Sequence, residues 1–248
     1  MNGVRLMTWL ARAMFAAAAV IVLVGLARWT LARPLFDIRH IEVRGELTHV
    51  SGAALRAAIA GKVGGNFFTV PLHEARRAFE AVPWVAAASV RRVWPDRLVV
   101  TLREHRALGL WSDGRLLSDR GQLFVANAAE AEIHGPLAQF DGPPQYAAEA
   151  ARRYYEFAAA LAPLALAPSG IEVSERASWS VITDAGQRFE LGRDDPPGRL
   201  DDALARLVAA YPAVVAYLGA PPRRIDLRYP NGLAAAPARN ANTAAGKS

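Results

Sequence analysis

Apolar and polar positions along the chain fall into three regimes. Between Met7 and Trp29 the side chains are apolar on every helical face, with Arg12 and Arg28 as the only charges, and Ala13–Ala27 is an uninterrupted apolar run of 15 residues. This pattern predicts a membrane-spanning helix over residues 9–29. Trp9 and Trp29 bracket it at a spacing of about 30 Å of helix, as interfacial tryptophans do. Arg12 lies close enough to one end for its long stem to carry the guanidinium back to the headgroups. A buried soluble helix is the weaker reading, since every face is apolar at the very N-terminus. Gly25-Leu26-Ala27 also reads as a small-x-small cleavage site, so a removed signal peptide competes with a retained anchor. The length and the flanking tryptophans favour the anchor. Arg5 and Arg12 precede the span, and Arg28, Arg33, Arg39 and Arg44 follow it, so charge alone does not orient it. The short stretch before the span and the bulk after it suit a protein whose bulk is exported.

The second regime begins after Arg33-Pro34, which ends the helix. Ile38, Ile41 and Val43 interleave with Arg39, His40 and Glu42 as a short strand. Ser51 suits an N-cap for a helix carrying Leu55 and Ile59 on one face and ending at Gly61. Gly64-Gly65-Asn66 reads as a turn, with no features of a phosphate loop. Pro71 opens a second helix with Leu72, Ala75, Phe79 and Val82 on one face, and Pro83 stops it. Val85–Val93 and Leu98–Leu102 alternate as strands around Trp94-Pro95-Asp96-Arg97. The order is β-α-α-β-β over residues 36–105.

In the third regime, residues 106–236, strand and helix patterns are mixed. Leu108–Trp111 and Arg115–Leu117 flank Ser112-Asp113-Gly114, a hairpin signal, and Ser118-Asp119-Arg120-Gly121 turns into Gln122–Val125. A helix is expected over Ala147–Leu161, strands at Ile171–Val173, Trp179–Thr183 and Arg188–Leu191, and a helix over Gly198–Tyr217. A last strand is expected from Arg224 to Arg228. The fold class expected is α+β: one N-terminal transmembrane helix, the β-α-α-β-β module, then a mixed α/β module with an antiparallel sheet. Residues 237–248 are too polar and small to bury anything and are expected to be a disordered tail.

Composition narrows the chemistry. The chain has 248 residues, 52% apolar, with no cysteine, which removes disulfides, thiol catalysis and cysteine-ligated metal. The net charge of +6 comes almost wholly from arginine, but the arginines are scattered in pairs, such as Arg76-Arg77 and Arg223-Arg224. A solvated basic surface explains them better than a nucleic-acid patch. The histidines are His40, His49, His73, His105 and His134. His73-Glu74 begins like a zinc helix, but Arg77 stands where the second ligand belongs. Asp194-Asp195 and Asp201-Asp202 flank Pro196-Pro197 and read as favourable charge at a helix N-terminus. No catalytic set, metal site or cofactor motif emerges, so the expectation is a protein without enzymatic activity, cofactor or metal, acting through its surfaces.

Three groups of residues carry a resemblance. Residues 36–104 resemble a POTRA domain, a small protein-contact unit. Gly65-Asn66-Phe67-Phe68, Val82-Pro83-Trp84-Val85 and Arg92–Leu98 narrow it to the FtsQ/DivIB family of bacterial cell-division proteins. So do Glu104-His105-Arg106 with Trp111, Leu117–Phe124, Leu191-Gly192-Arg193 and Ile225–Gly232, in order, over about residues 10–236. Outer-membrane assembly factors also carry POTRA domains, in tandem before a long barrel, so a periplasmic chaperone or assembly factor is the alternative. A cell-wall hydrolase or its regulator is a third reading, which the missing catalytic groups disfavour.

The resemblance implies a cytoplasmic tail (1–8), a transmembrane helix (9–29), a periplasmic POTRA domain (36–105) and a periplasmic β-domain (106–236) in the inner membrane at the division septum. It implies a scaffold that binds FtsB and FtsL through the β-domain and other division proteins through the POTRA and transmembrane parts. No small-molecule substrate or nucleic acid is implied. The partner site is placed late in the chain: Tyr229, Arg228, Arg193, Asn231, Gly232, Leu233 and Leu227.

Alternation over Ile225–Tyr229 puts Ile225, Leu227 and Tyr229 on one face. With little chain after it, this strand is expected to be a free edge that a partner strand extends. Tyr229 is then an anchor, against the alternative that it is core. Arg193 and Arg228 match positions that pair with acidic groups on FtsB. Such a contact, partly desolvated, contributes roughly 1.5–3 kcal/mol. Pro230 cannot donate to a ladder, and Ala234-Ala235-Ala236-Pro237 offers no distal aromatic. Trp84 and Trp94 read as packing residues first and contact residues second.

Overall fold

The structure, a computed structural model, describes residues 2–31, 36–64, 66–133 and 135–237. The Arg33-Pro34 break, Gly65, His134 and the tail after Pro237 fall outside them. The chain divides into two compact units, residues 1–104 and 105–248.

Helix α1 spans Asn2–Leu31. Its segment Met7–Leu26 is long and apolar enough to cross a membrane, and none of it is buried. The rest of the first unit is β1 (His40–Arg44), α2 (Gly52–Ile59), α3 (Leu72–Glu80), β2 (Val85–Val93) and β3 (Arg97–Glu104). The three strands are ordered β1-β3-β2, with β1 parallel and β2 antiparallel to β3. Ser51 caps α2, its Oγ accepting from Ala54 N at 3.1 Å. The apolar stripe of α3 buries Ala75, Ala78 and Phe79 over the sheet, beside Leu98, Val100 and Leu102. The Glu104 carboxylate gathers the loop before α2, accepting from the backbone N–H groups of Thr48, His49 and Val50.

The two tryptophans of this unit separate: Trp84 is 3% exposed and stacked on His49, while Trp94 is 63% exposed.

The second unit is built on one nine-stranded sheet. Its strands are β4 (Ala107–Trp111), β5 (Leu116–Ser118), β6 (Leu123–Phe124), β7 (Ala138–Asp141), β8 (Pro168–Val173), β9 (Trp179–Thr183), β10 (Arg188–Gly192), β11 (Arg224–Asp226) and β12 (Ala234–Ala236). Three helices accompany them, α4 (Ala128–Glu132), α5 (Ala147–Leu161) and α6 (Arg199–Leu218). The strand order is β12-β11-β10-β9-β8-β7-β4-β5-β6. Most neighbours are antiparallel; β4–β7, β7–β8 and β10–β11 are parallel. The fold is therefore α+β. Gly109 is required by the close approach of β4 to β7, since a Cβ there would meet Ala138 O at 2.2 Å and the Phe140 ring at 2.4 Å. Helices α5 and α6 pack Phe157, Leu161, Leu200, Leu204 and Leu207 onto Phe140, Ile171, Val181, Phe189 and Ile225 of the sheet.

Three elements were absent from the sequence reading: α4, β7 and β12. The last one overturns an expectation. The final strand was expected over Arg224–Arg228 with a free edge along Ile225–Tyr229. Instead β11 stops at Asp226, and its far side is paired antiparallel with β12, Arg224 to Ala236, Ile225 to Ala235 and Asp226 to Ala234. The chain returns on itself through a turn at residues 229–231 and covers the predicted rim. Among the described residues the outer side of β12 is unpaired, as is that of β6 at the other end of the sheet.

Candidate functional site

The β11–β12 hairpin sits at one end of the large sheet. Its backbone parity follows from one bond: Leu227 N donates to Glu190 O on β10 at 2.8 Å. The N–H and C=O of one residue share a side, and sides alternate along a strand. Ile225 and Leu227 thus face β10, and Arg224 and Asp226 face β12. Their register partners Ala236 and Ala234 face inward, which leaves the N–H and C=O of Ala235 pointing away from the sheet. The Ala235 side chain packs against the core, while Ala234 and Ala236 are exposed.

The predicted site residues spread over three environments. Leu227 is 1% exposed and belongs to the core. Leu233 is half-buried against that core. Tyr229 is 59% exposed, with Arg228, Asn231 and Gly232 also exposed in and beside the turn. Tyr229 is therefore not core, and it does not continue the inward face of Ile225 and Leu227.

The segment carrying Tyr229 is pinned from behind. Arg199 Nη2 donates to Arg228 O at 3.0 Å, and Arg206 Nη2 donates to Leu227 O at 3.3 Å and Tyr229 O at 3.5 Å. These two arginines, seven residues apart, share one face of α6. That spacing was the available signal for them, but it carried no hint of which backbone they would hold.

The two predicted arginines differ. The Arg228 guanidinium grips Asp226, with Nη2 2.6 Å from Oδ2 and Nε 2.9 Å from Oδ1, and Glu190 stands 3.6 Å away. This side-chain bond holds the Asp226 carboxyl below its ordinary value and raises the guanidinium further. Arg193 is exposed and forms no ion pair among the described residues. Gly192, at φ 90°, lets the Arg228 stem lie against the backbone beside it. Arg193 and Arg228 share a charged basin of about 850 Å³ on the sheet face, with Glu172, Arg188, Glu190 and Arg199 among its walls. Within it Arg188 clasps Glu172, a bond that raises the arginine's pKa. On the other side of the hairpin, an apolar groove of about 380 Å³ runs between α6 and β12. Val214, Tyr217, Leu218, Leu233 and Ala235 line it.

Behind the basin lies a buried ionic cluster for which the sequence carries no signal. Arg153 on α5 is 5% exposed and pairs with Asp194, Asp201 and Glu156. Asp194 also accepts from the N–H groups of Gly198 and Leu200, capping α6. The acidic pairs thus serve the start of α6, as charge at a helix N-terminus does. Among the described residues, no group of three or more His, Asp or Glu is placed to hold a metal. On α1, Trp9 and Trp29 are exposed, as is Arg12.

Comparison with known proteins places this architecture. Residues 36–105 match the family model for the FtsQ-type POTRA domain, and residues 109–228 match that for the C-terminal part of the cell division protein FtsQ/DivIB. The second match ends one residue before Tyr229. The cell division protein FtsQ of Burkholderia pseudomallei (strain K96243) is 42% identical over 233 residues, 94% of this chain and 92% of that protein. That of Bordetella pertussis (strain Tohama I) is 41% identical over 236 residues, 89% of this chain and 86% of that protein. That of Nitrosospira multiformis is 34% identical over 227 residues, 90% and 92% of the two chains. A single apolar N-terminal helix, a β-α-α-β-β unit and a nine-stranded α+β unit, matched in this order at this identity, leave one assignment: the chain belongs to the FtsQ/DivIB family of cell-division proteins.

Proposed function

We propose that the chain is a non-enzymatic scaffold of the division machinery. It is held in the inner membrane by α1, with its bulk in the periplasm at the septum, and it links early and late division proteins. It binds FtsB, together with FtsL, by accepting an extended segment on the outer side of β12. Other division proteins meet the POTRA and transmembrane parts.

The observation that carries this reading is the end of the large sheet. A three-alanine strand with an outward N–H and C=O at Ala235 stands beside an exposed tyrosine. An added strand satisfies those groups with its own backbone. Its side chains alternate between two surfaces: one set continues past Ala235 and Leu233 toward the apolar groove, the other faces the basin. Tyr229 supplies a rigid anchor with a hydroxyl. Asn231 and Gly232 keep the turn small, so a second backbone can pass close. Arg193, with its charge uncommitted within the described residues, takes a partner carboxylate; Arg228 must share itself with Asp226. Leu227 contributes by fixing the hairpin from the core.

The test is calorimetry with a periplasmic FtsB fragment. Tyr229→Ala leaves the unit folded, because the ring is largely in solvent, and weakens binding by more than about tenfold, or about 1.4 kcal/mol. Unchanged affinity overturns the placement of the site.

A further inference from the structure

Four aromatic rings meet at one tip of the POTRA domain. The Phe36 ring centroid lies 5.4 Å from that of Phe68 and 5.9 Å from that of Trp94. Phe67 lies 5.3 Å from Phe68 and 5.9 Å from Trp94. Backbone bonds bring them together. Phe67 N donates to Phe36 O at 2.7 Å, Asp37 bridges Asn66, and Arg39 N donates to Asp96 O at 2.9 Å. The strand entering the domain is thus held between the turn at Asn66–Thr69 and the turn before Arg97.

A cluster that served only as core would be buried. Here Trp94 is 63% exposed and Phe68 44% exposed. Half-exposed indole rings are enriched at membrane–water interfaces, and phenyl rings beside them bury into the boundary between headgroups and acyl chains.

The chain itself brings this tip to such an interface. Helix α1 ends at Leu31 and the cluster begins at Phe36. Five Cα–Cα steps allow a separation of at most about 19 Å. The apolar segment ends at Leu26. Five further helical residues rise about 7.5 Å, roughly the depth of one headgroup layer. The aromatic tip is therefore tethered within reach of the lipid surface that α1 leaves.

We propose that Phe36, Phe67, Phe68 and Trp94 form a membrane-interface dock, seated in the headgroup layer of the bilayer that α1 crosses. The dock sets the tilt of the POTRA domain on the membrane. Arg39, next to the cluster in sequence, adds attraction to anionic headgroups, while Arg97 shares its charge with Glu42 at 3.8 Å. The inference rests on α1 spanning the bilayer and is independent of FtsB binding.

The chain contains no cysteine, so single nitroxide labels report cleanly. Phe68→Cys, Leu23→Cys and Val125→Cys are prepared in the full chain, in vesicles of phosphatidylethanolamine and phosphatidylglycerol. Accessibility to oxygen and to a nickel chelate is read for each. The dock requires the Phe68 label to be several-fold less open to nickel than the Val125 label, with the Leu23 label deep in hydrocarbon. It also requires the Phe68 label to open to nickel when lipid is replaced by amphipol, or when Trp94→Ser is added in vesicles. A deep Leu23 label with a Phe68 label as open as Val125 overturns the dock alone. A Leu23 label open to nickel overturns the span, and the dock with it. Shielding of Phe68 that persists in amphipol assigns it to protein packing and overturns the dock.

Discussion

Each of the two sheets in this chain has edge strands whose outer sides are unpaired among the described residues, and two of these edges, β2 and β12, are built differently. In the POTRA domain one of the two edge strands is β2, nine residues long, with a register irregularity between Val85 and Ala87 and with Arg91 and Arg92 near its far end. Arg92 is folded back, its Nη2 donating to Val70 O at 2.7 Å. In the β-domain one of the two edge strands is β12, three alanines with no charged side chain, the other being β6. Charges and bulges along a strand discourage pairing with another chain, because the added strand would bury them. Small apolar residues raise no such barrier. On the function proposed above, the side chains, more than the length of the edge, decide which edge accepts a partner strand.

The sharpest way to break this comparison is to block the short edge. Ala235→Pro removes the one outward N–H and crowds the approach, while the inward bonds through Ala234 and Ala236 remain. Affinity for the FtsB fragment is expected to fall by more than about thirtyfold, roughly 2 kcal/mol, with thermal stability nearly unchanged. Next comes the basin: Arg193→Ala is expected to weaken binding by about five- to tenfold, about 1–1.4 kcal/mol, with the deficit shrinking at high salt. A titration at two ionic strengths checks both parts.

Opening the long edge is the converse experiment. Arg91→Val takes a charge off β2 and is expected to produce concentration-dependent self-association in sedimentation velocity.

The smallest effect concerns pH. Arg228 holds the Asp226 carboxyl below its ordinary value, so the group binds fewer protons folded than unfolded. The stability it contributes is present above the ordinary aspartate range and is lost as pH falls through the depressed folded value. Urea midpoints of the natural chain and Asp226→Asn are expected to differ modestly at pH 7 and to converge in acid.

Much of the fold was legible because its signals are local. Ser51 announced a cap, Pro71 and Pro83 bounded α3, and Ser112-Asp113-Gly114 announced a hairpin. What escaped depends on distant partners. β7 is four residues between turn-forming segments, and only its parallel fit between β4 and β8 makes it a strand. β12 has no β-branched or aromatic residue, so alanine's weak strand preference concealed it. The same concealment hid the pairing that covers the Arg224–Asp226 part of the expected rim. The burial of Arg153 was equally invisible, since an arginine beside another arginine on a helix gives no sign of which one points inward.

The central claim is that β12 lends its outer backbone to a partner strand. Hydrogen exchange at the Ala235 amide, measured in the full chain with and without the FtsB fragment, tests it most directly. Rapid exchange in the free chain and strong protection in the complex are expected, with the β2 amides unaffected. Tight binding with Ala235 still exchanging rapidly would contradict it.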